Sequence, residues 1–80
     1  MKVEVRLFAT LVRYRRGAAS GEPFRVELAN GAALADLLVK LAVPSKEVHL
    51  TLVDGRIVHS MDVRLLAGAR VGLFPPIGGG

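Results

Sequence analysis

The sequence has no cysteine and no tryptophan, and three phenylalanines and one tyrosine are its whole aromatic content. Without cysteine there is no disulfide framework, no thiolate metal site and no cysteine nucleophile. With so few rings the core has to come from Leu, Val, Ile and Ala, within a hydrophobic share of 51%. No apolar run approaches the ~20 residues that span a bilayer. The opening MKVEVRLF alternates in charge and lacks the hydrophobic centre and small-residue cleavage site of a signal peptide. The expectation is a soluble cytoplasmic protein with no membrane contact. Acidic residues are also few: seven Asp and Glu stand against eleven Lys and Arg, a net charge of +4.

Eighty residues make one domain and no more. A chain of that size buries roughly 60–65% of its unfolded surface, enough for a modest core without staples. Lys2 to Leu7 alternates polar and apolar, the period of a half-buried strand, with Val3, Val5 and Leu7 inward. Leu11 and Tyr14, three apart, suit a short helical turn, which the small, polar GAASGE stretch from Gly17 breaks. Phe24, Val26 and Leu28 predict a second strand closed by a turn at Asn30-Gly31.

Leu34, Leu37, Leu38 and Leu41 then form one apolar stripe at helical spacing. Its start offers only Asn30 as a cap, and Pro44 ends it. Val48 to Val53 predicts a third strand, turned by Asp54-Gly55 into a short strand at Ile57 and Val58. Met61 to Leu66 carries no clear period, and Ala69 to Phe74 predicts the last strand. One Leu-lined helix on a mixed sheet is a two-layer α+β domain. It covers residues 1–74 and is followed by a tail over residues 75–80.

That tail, within FPPIGGG, is the most informative stretch. Pro75 and Pro76 fix φ near −65° and lift the chain off the last strand. Gly78, Gly79 and Gly80 carry no side chains and are the most permissive tripeptide available. Extended, Pro75 to Gly80 reaches ~20 Å. The combination describes an arm that leaves a rigid body, threads a narrow channel in another protein and delivers a carboxylate. A carboxylate is a poor acyl donor until its oxygen is made a leaving group. An acyl-adenylate formed with ATP achieves that, and a sulfur or amine nucleophile then displaces AMP.

With these residues in place, the chain resembles the ubiquitin-like β-grasp sulfur carriers, above all the small subunit of molybdopterin synthase. The carriers of thiamine synthesis and tRNA thiolation are cousins. The resemblance rests on Val-x-Val-x-Leu-Phe-Ala (Val3 to Ala9), Leu34-Ala35-Asp36-Leu37-Leu38, Asp54-Gly55-Arg56, Leu66-Ala67-Gly68 and Val71 through Gly80. It implies that a ubiquitin-activating-type enzyme uses ATP to adenylate the Gly80 carboxylate, which becomes a thiocarboxylate. The tail then enters the large subunit of molybdopterin synthase and gives up its sulfur. On that implication Gly80 carries the reacting carbon, Gly79 and Gly78 supply slimness, and Phe74 to Ile77 position the arm. Phe74 is either part of a partner-facing apolar patch or ordinary core. The chain would bind no cofactor and act as a cosubstrate without its own catalytic site. Two departures stand out: Ala69-Arg70 replaces an acidic stretch common in the family, and the basic balance differs from acidic docking faces.

Other signals are weaker. Arg13, Arg15 and Arg16 flank Tyr14, a patch able to hold phosphates, but no nucleic-acid motif accompanies it. His49 and His59 have no further ligands in a metal-binding spacing. The alternatives that remain are a protein modifier joined through Gly80 and a small basic RNA-binding domain.

Overall fold

The computed structural model describes residues 1–76. Its strands are β1 (Lys2–Leu7), β2 (Pro23–Glu27), β3 (Leu50–Val53), β4 (Arg56–Val58) and β5 (Arg70–Phe74), with one main helix, α1 (Leu34–Leu41). They form a single sheet in the order β2-β1-β5-β3-β4. β1 and β5 pair in parallel at its centre, and the other neighbours are antiparallel. This mixed sheet with one helix is the ubiquitin-like β-grasp arrangement of the α+β class.

Alternation does what the sequence dictates. Val3, Val5 and Leu7 of β1, Val71 and Leu73 of β5, and Leu34, Leu37 and Leu38 of α1 join one buried cluster. Leu11 joins it from a 3-10 turn over Ala9–Tyr14. Truncating a fully buried leucine such as Leu37 costs ~2–5 kcal/mol by lost transfer energy and cavity formation.

Several boundaries differ from the sequence expectation. The third strand starts at Leu50 rather than Val48, because Ser45–Glu47 forms a 3-10 turn after Pro44. The Val48 amide is spent on the Ser45 carbonyl at 3.1 Å. His49 and His59 accordingly flank strands instead of lying in them. The helix is not capped by Asn30. The carboxylate of Asp36, in the first turn, accepts from the Ala33 N–H at 2.8 Å. The Met61 and Val63 carbonyls accept from Ala35 and Leu34 at 2.9 and 2.8 Å. The segment without a clear period thus closes over the helix start and satisfies amides that an isolated helix leaves unpaired.

The helix ends before Pro44 takes effect. Ala42 adopts the left-handed region at φ +60°. The Val43 N–H reaches back to the Leu38 carbonyl at 2.9 Å and the Ala42 N–H to Val39 at 3.0 Å. Leu38 and Val43 are both buried, completing a Schellman stop built on alanine rather than glycine. Among the described residues no helix is long and apolar enough to cross a membrane.

Candidate functional site

The strand that leads into the tail lies inside the sheet, between β1 and β3, and its last two carbonyls are both held. The Phe8 N–H donates to the Leu73 carbonyl at 3.1 Å, and the His49 N–H donates to the Phe74 carbonyl at 2.8 Å. Pro75 and Pro76 come next and have no N–H to continue the ladder. Pairing therefore stops at Phe74, and the chain leaves from a point gripped on both sides.

Alternation along β5 buries Val71 and Leu73 and turns Arg70, Gly72 and Phe74 to the face opposite α1, which no helix covers among the described residues. Of the two expectations for Phe74, core packing is thereby excluded. Its half-buried ring lies on the ring of Phe8, with centroids 4.1 Å apart and planes at 8°. Phe8 reaches this face by continuing the outward parity of Lys2, Glu4 and Arg6 one step past β1.

Gly72 lies directly beneath the stack. A Cβ on Gly72 would stand 3.4 Å from Phe74 Cε1 and 3.5 Å from Phe8 Cε2. Gly21 stands closer, at the edge of the Phe8 ring. Its φ is +77°, and a Cβ there would come within 3.2 Å of Phe8 Cε1. Its N–H also binds the Leu7 carbonyl at 2.8 Å, drawing the loop after the 3-10 turn against Phe8.

The apolar surface extends sideways from the rings. Leu50 stands opposite Phe74 and Leu52 opposite Gly72 in the β3–β5 ladder, and Ile57 opposite Leu52 in the hairpin. Ile57 is 54% exposed, high for so large an apolar side chain. Phe8, Leu52 and Phe74 line a shallow depression of about 320 Å³, bordered by Arg6, Glu4 and Arg70. Phe74 was singled out in the sequence; Phe8, Leu52, Ile57 and Gly72, which share its face in the structure, were not. The parity of β1 was the available signal for Phe8; nothing local marks the others.

Of the expected tail residues, Pro75 is half-buried and Pro76 exposed. Ile77, Gly78, Gly79 and Gly80, expected to thread a partner and carry the reacting carboxylate, lie outside the described residues.

The arginine group near Tyr14 is largely engaged within the molecule. Arg13 pairs with Glu47, and the Tyr14 hydroxyl donates to Glu47 at 2.8 Å, tying the two 3-10 turns together. The Tyr14 hydrogen bond and the Glu47 charge hold the Arg13 guanidinium above its ordinary pKa. Arg15 lies over the Phe24 ring, 4.7 Å from its centroid. Among the described residues no group of three His, Cys, Asp or Glu side chains is placed to hold a metal ion.

The model of the ThiS family matches residues 5–80 of this chain. Among solved structures it is similar to SAMP1 of Haloferax volcanii, with a TM-score of 0.74, 26% identity and both chains covered fully. It is similar to a protein of Pyrococcus furiosus described as putative molybdopterin converting factor, subunit 1. There the TM-score is 0.67 at 32% identity, over 96% of this chain and 99% of that one. The complex of subunits 1 and 2 of molybdopterin-converting factor from Helicobacter pylori also contains a similar chain, with a TM-score of 0.63, 27% identity and full coverage of both. No curated protein matches the sequence.

Proposed function

We propose a specific carrier role from one premise: this chain belongs to the ThiS family of small ubiquitin-like sulfur carriers. In this reading the Gly80 carboxylate attacks the α-phosphorus of ATP in a ubiquitin-activating-type enzyme. Pyrophosphate leaves and an acyl-adenylate forms. A sulfide-level sulfur nucleophile adds to the acyl carbon and expels AMP, leaving a thiocarboxylate. The loaded tail enters the large subunit of molybdopterin synthase, the sulfur bonds to the pterin precursor, and water adds to the acyl carbon as the carbon–sulfur bond breaks, which returns the Gly80 carboxylate. The protein is consumed and reloaded as a cosubstrate, and catalysis belongs to its partners.

The observation that carries this reading is the exit of the tail from a gripped point beside an exposed apolar surface. A partner that docks on Phe8, Phe74, Leu52 and Ile57 receives the tail from a fixed origin. Gly78 to Gly80 then ask for little width in the channel. Fixing the backbone of each residue on binding costs ~1–2 kcal/mol, so threading a tail alone binds poorly and docking has to come from the folded face. The similarity to the two molybdopterin-converting factor chains supports that pathway over its cousins.

The test is a mass measurement. Incubated with its activating enzyme, ATP and a sulfur source, the protein should gain the mass of one oxygen-to-sulfur exchange at Gly80. Absence of that shift with the cognate enzyme refutes the proposal. The similarity to SAMP1, described in a second structure as a small archaeal modifier protein, favours one further reading. The same adenylate attacked by a lysine amine would give an isopeptide, detectable as conjugates in cell lysate.

A further inference from the structure

The open face of the sheet has a second half beside its apolar one. Lys2, Glu4 and Arg6 point outward from β1, Arg25 and Glu27 from β2, and Arg70 from β5. Register sets Glu4 directly between Arg25 and Arg70. Glu27 is already engaged, its carboxylate accepting from the Met1 ammonium at 2.8 Å. Lys2 stands opposite Glu27 in the same register, and Asp54 lies against the start of β5, accepting from the Arg70 N–H at 2.9 Å. The four exposed cations Lys2, Arg6, Arg25 and Arg70 still outnumber the carboxylates Glu4, Glu27 and Asp54 around them. None of these cations is in an ion pair: among the described residues the pairs are Met1–Glu27 and Arg13–Glu47.

Lys2, Arg25 and Arg70 line a broad depression of about 560 Å³ over Glu4. It shares Glu4 and Arg70 with the depression beneath the phenylalanines, so the two halves form one surface. Such a field, unbalanced and at the surface, acts over roughly a Debye length of 8–10 Å. It contributes to encounter rate and orientation more than to final affinity.

We infer that this face selects a protein partner whose docking surface carries an acidic cluster beside an apolar patch. The cluster meets Lys2, Arg6, Arg25 and Arg70 while the patch receives Phe8 and Phe74. The inference rests on the carrier reading and specifies the surface of the adenylating enzyme that reading requires. A protein fits better than a nucleic acid. One part of the continuous surface is apolar, and the two aromatic rings there stack on each other instead of standing as platforms for bases. A small anion fits poorly too, since neither depression is walled by buried polar groups.

The test separates the inference from the reading. Association of the full chain with its purified adenylating enzyme is followed by stopped flow over a range of salt, and thiocarboxylate formation is measured separately at saturating enzyme. Arg6→Glu, Arg25→Glu and Arg70→Glu combined should lower the association rate constant roughly tenfold or more at low salt and flatten its salt dependence. Loading at saturating enzyme should remain. The corresponding Arg→Gln triple variant should fall between, and both should melt cooperatively, as checked by circular dichroism. An unchanged rate constant and salt slope overturns the inference, even if the wild type is loaded normally. If the variants instead lose affinity for a single-stranded RNA oligonucleotide and keep their association with the enzyme, the cations serve nucleic acid and the inference is wrong. A wild-type chain that associates in the expected salt-dependent way and acquires no sulfur refutes the carrier reading alone.

Discussion

The ring of Phe8, one residue past the first strand, lies flat on the ring of Phe74 at the end of the last strand, 4.1 Å away and above Gly72. The contact joins the two central parallel strands at the point where the tail departs. An aromatic pair of this kind contributes ~0.5–1.5 kcal/mol beyond its buried area. Placed outside the core, it also leaves apolar surface for a partner.

Phe8→Ala removes that surface without opening the core. It should lower stability by no more than ~1–2 kcal/mol. Affinity for the adenylating enzyme should fall much further, as expected for an aromatic anchor, with a loss of ~2 kcal/mol or more seen mainly in dissociation. Thermal melts and association kinetics on the same preparation compare the two effects. Equal losses in both would remove Phe8 from the docking surface.

Appending one alanine after Gly80 should leave the melting curve unchanged, because the fold described here ends its pairing at Phe74. The same change should abolish adenylation, measured as ATP-dependent pyrophosphate release. Retained activation would show that the terminal carboxylate of Gly80 is not the reacting group.

Ala42 holds a left-handed conformation that costs an L-residue about 1–2 kcal/mol. Glycine removes that strain but makes the unfolded chain more flexible, at a cost of ~0.4–1 kcal/mol. Ala42→Gly should therefore stabilise the fold by ~0.5–1 kcal/mol, read from chemical denaturation. A destabilised variant would mean that the helix stop is not strained as its angle implies.

Glu27 sets a pH dependence of known sign. The hydrogen bond from the Met1 ammonium, then its positive charge, hold the Glu27 carboxyl below the usual carboxylate range. A lowered folded-state pKa adds stability above the unfolded value, and that stability is lost as pH falls through the folded value. Glu27→Gln should be slightly less stable than the parent at neutral pH and equal to it once the carboxyl is protonated. The effect is small because the pair is exposed and screened by salt. Melting temperatures of both proteins across the acid range test it; a gap that widens on acidification would contradict the pairing.

Much of this was legible in the residues because local patterns carry it. The outward and inward sides of β1 follow from Val3, Val5 and Leu7 alone, and the helix face from its leucine spacing. The hairpin at Asp54-Gly55 also forms where expected, with both residues at positive φ. Asp54 accepts from the Arg70 N–H at 2.9 Å and so fixes the start of β5, a link across sixteen residues that no local pattern announces. The helix start was illegible for the same reason. Its amides are satisfied by carbonyls of Met61 and Val63, contributed by a segment with no period of its own.

The sequence by itself determined the period of most elements, the lack of cysteine and the Pro75-Pro76 and Gly78-Gly79-Gly80 runs that give the carrier reading its force. These depend on single residues and their near neighbours. Only the tertiary structure decided that Phe74 belongs to the open face, that Phe8 stacks on it over Gly72, and that Lys2, Arg6, Arg25 and Arg70 share one surface and form no ion pair among the described residues. Strand order and register bring distant residues to the same side, and those are set by packing around the shared core rather than by any stretch of chain read alone.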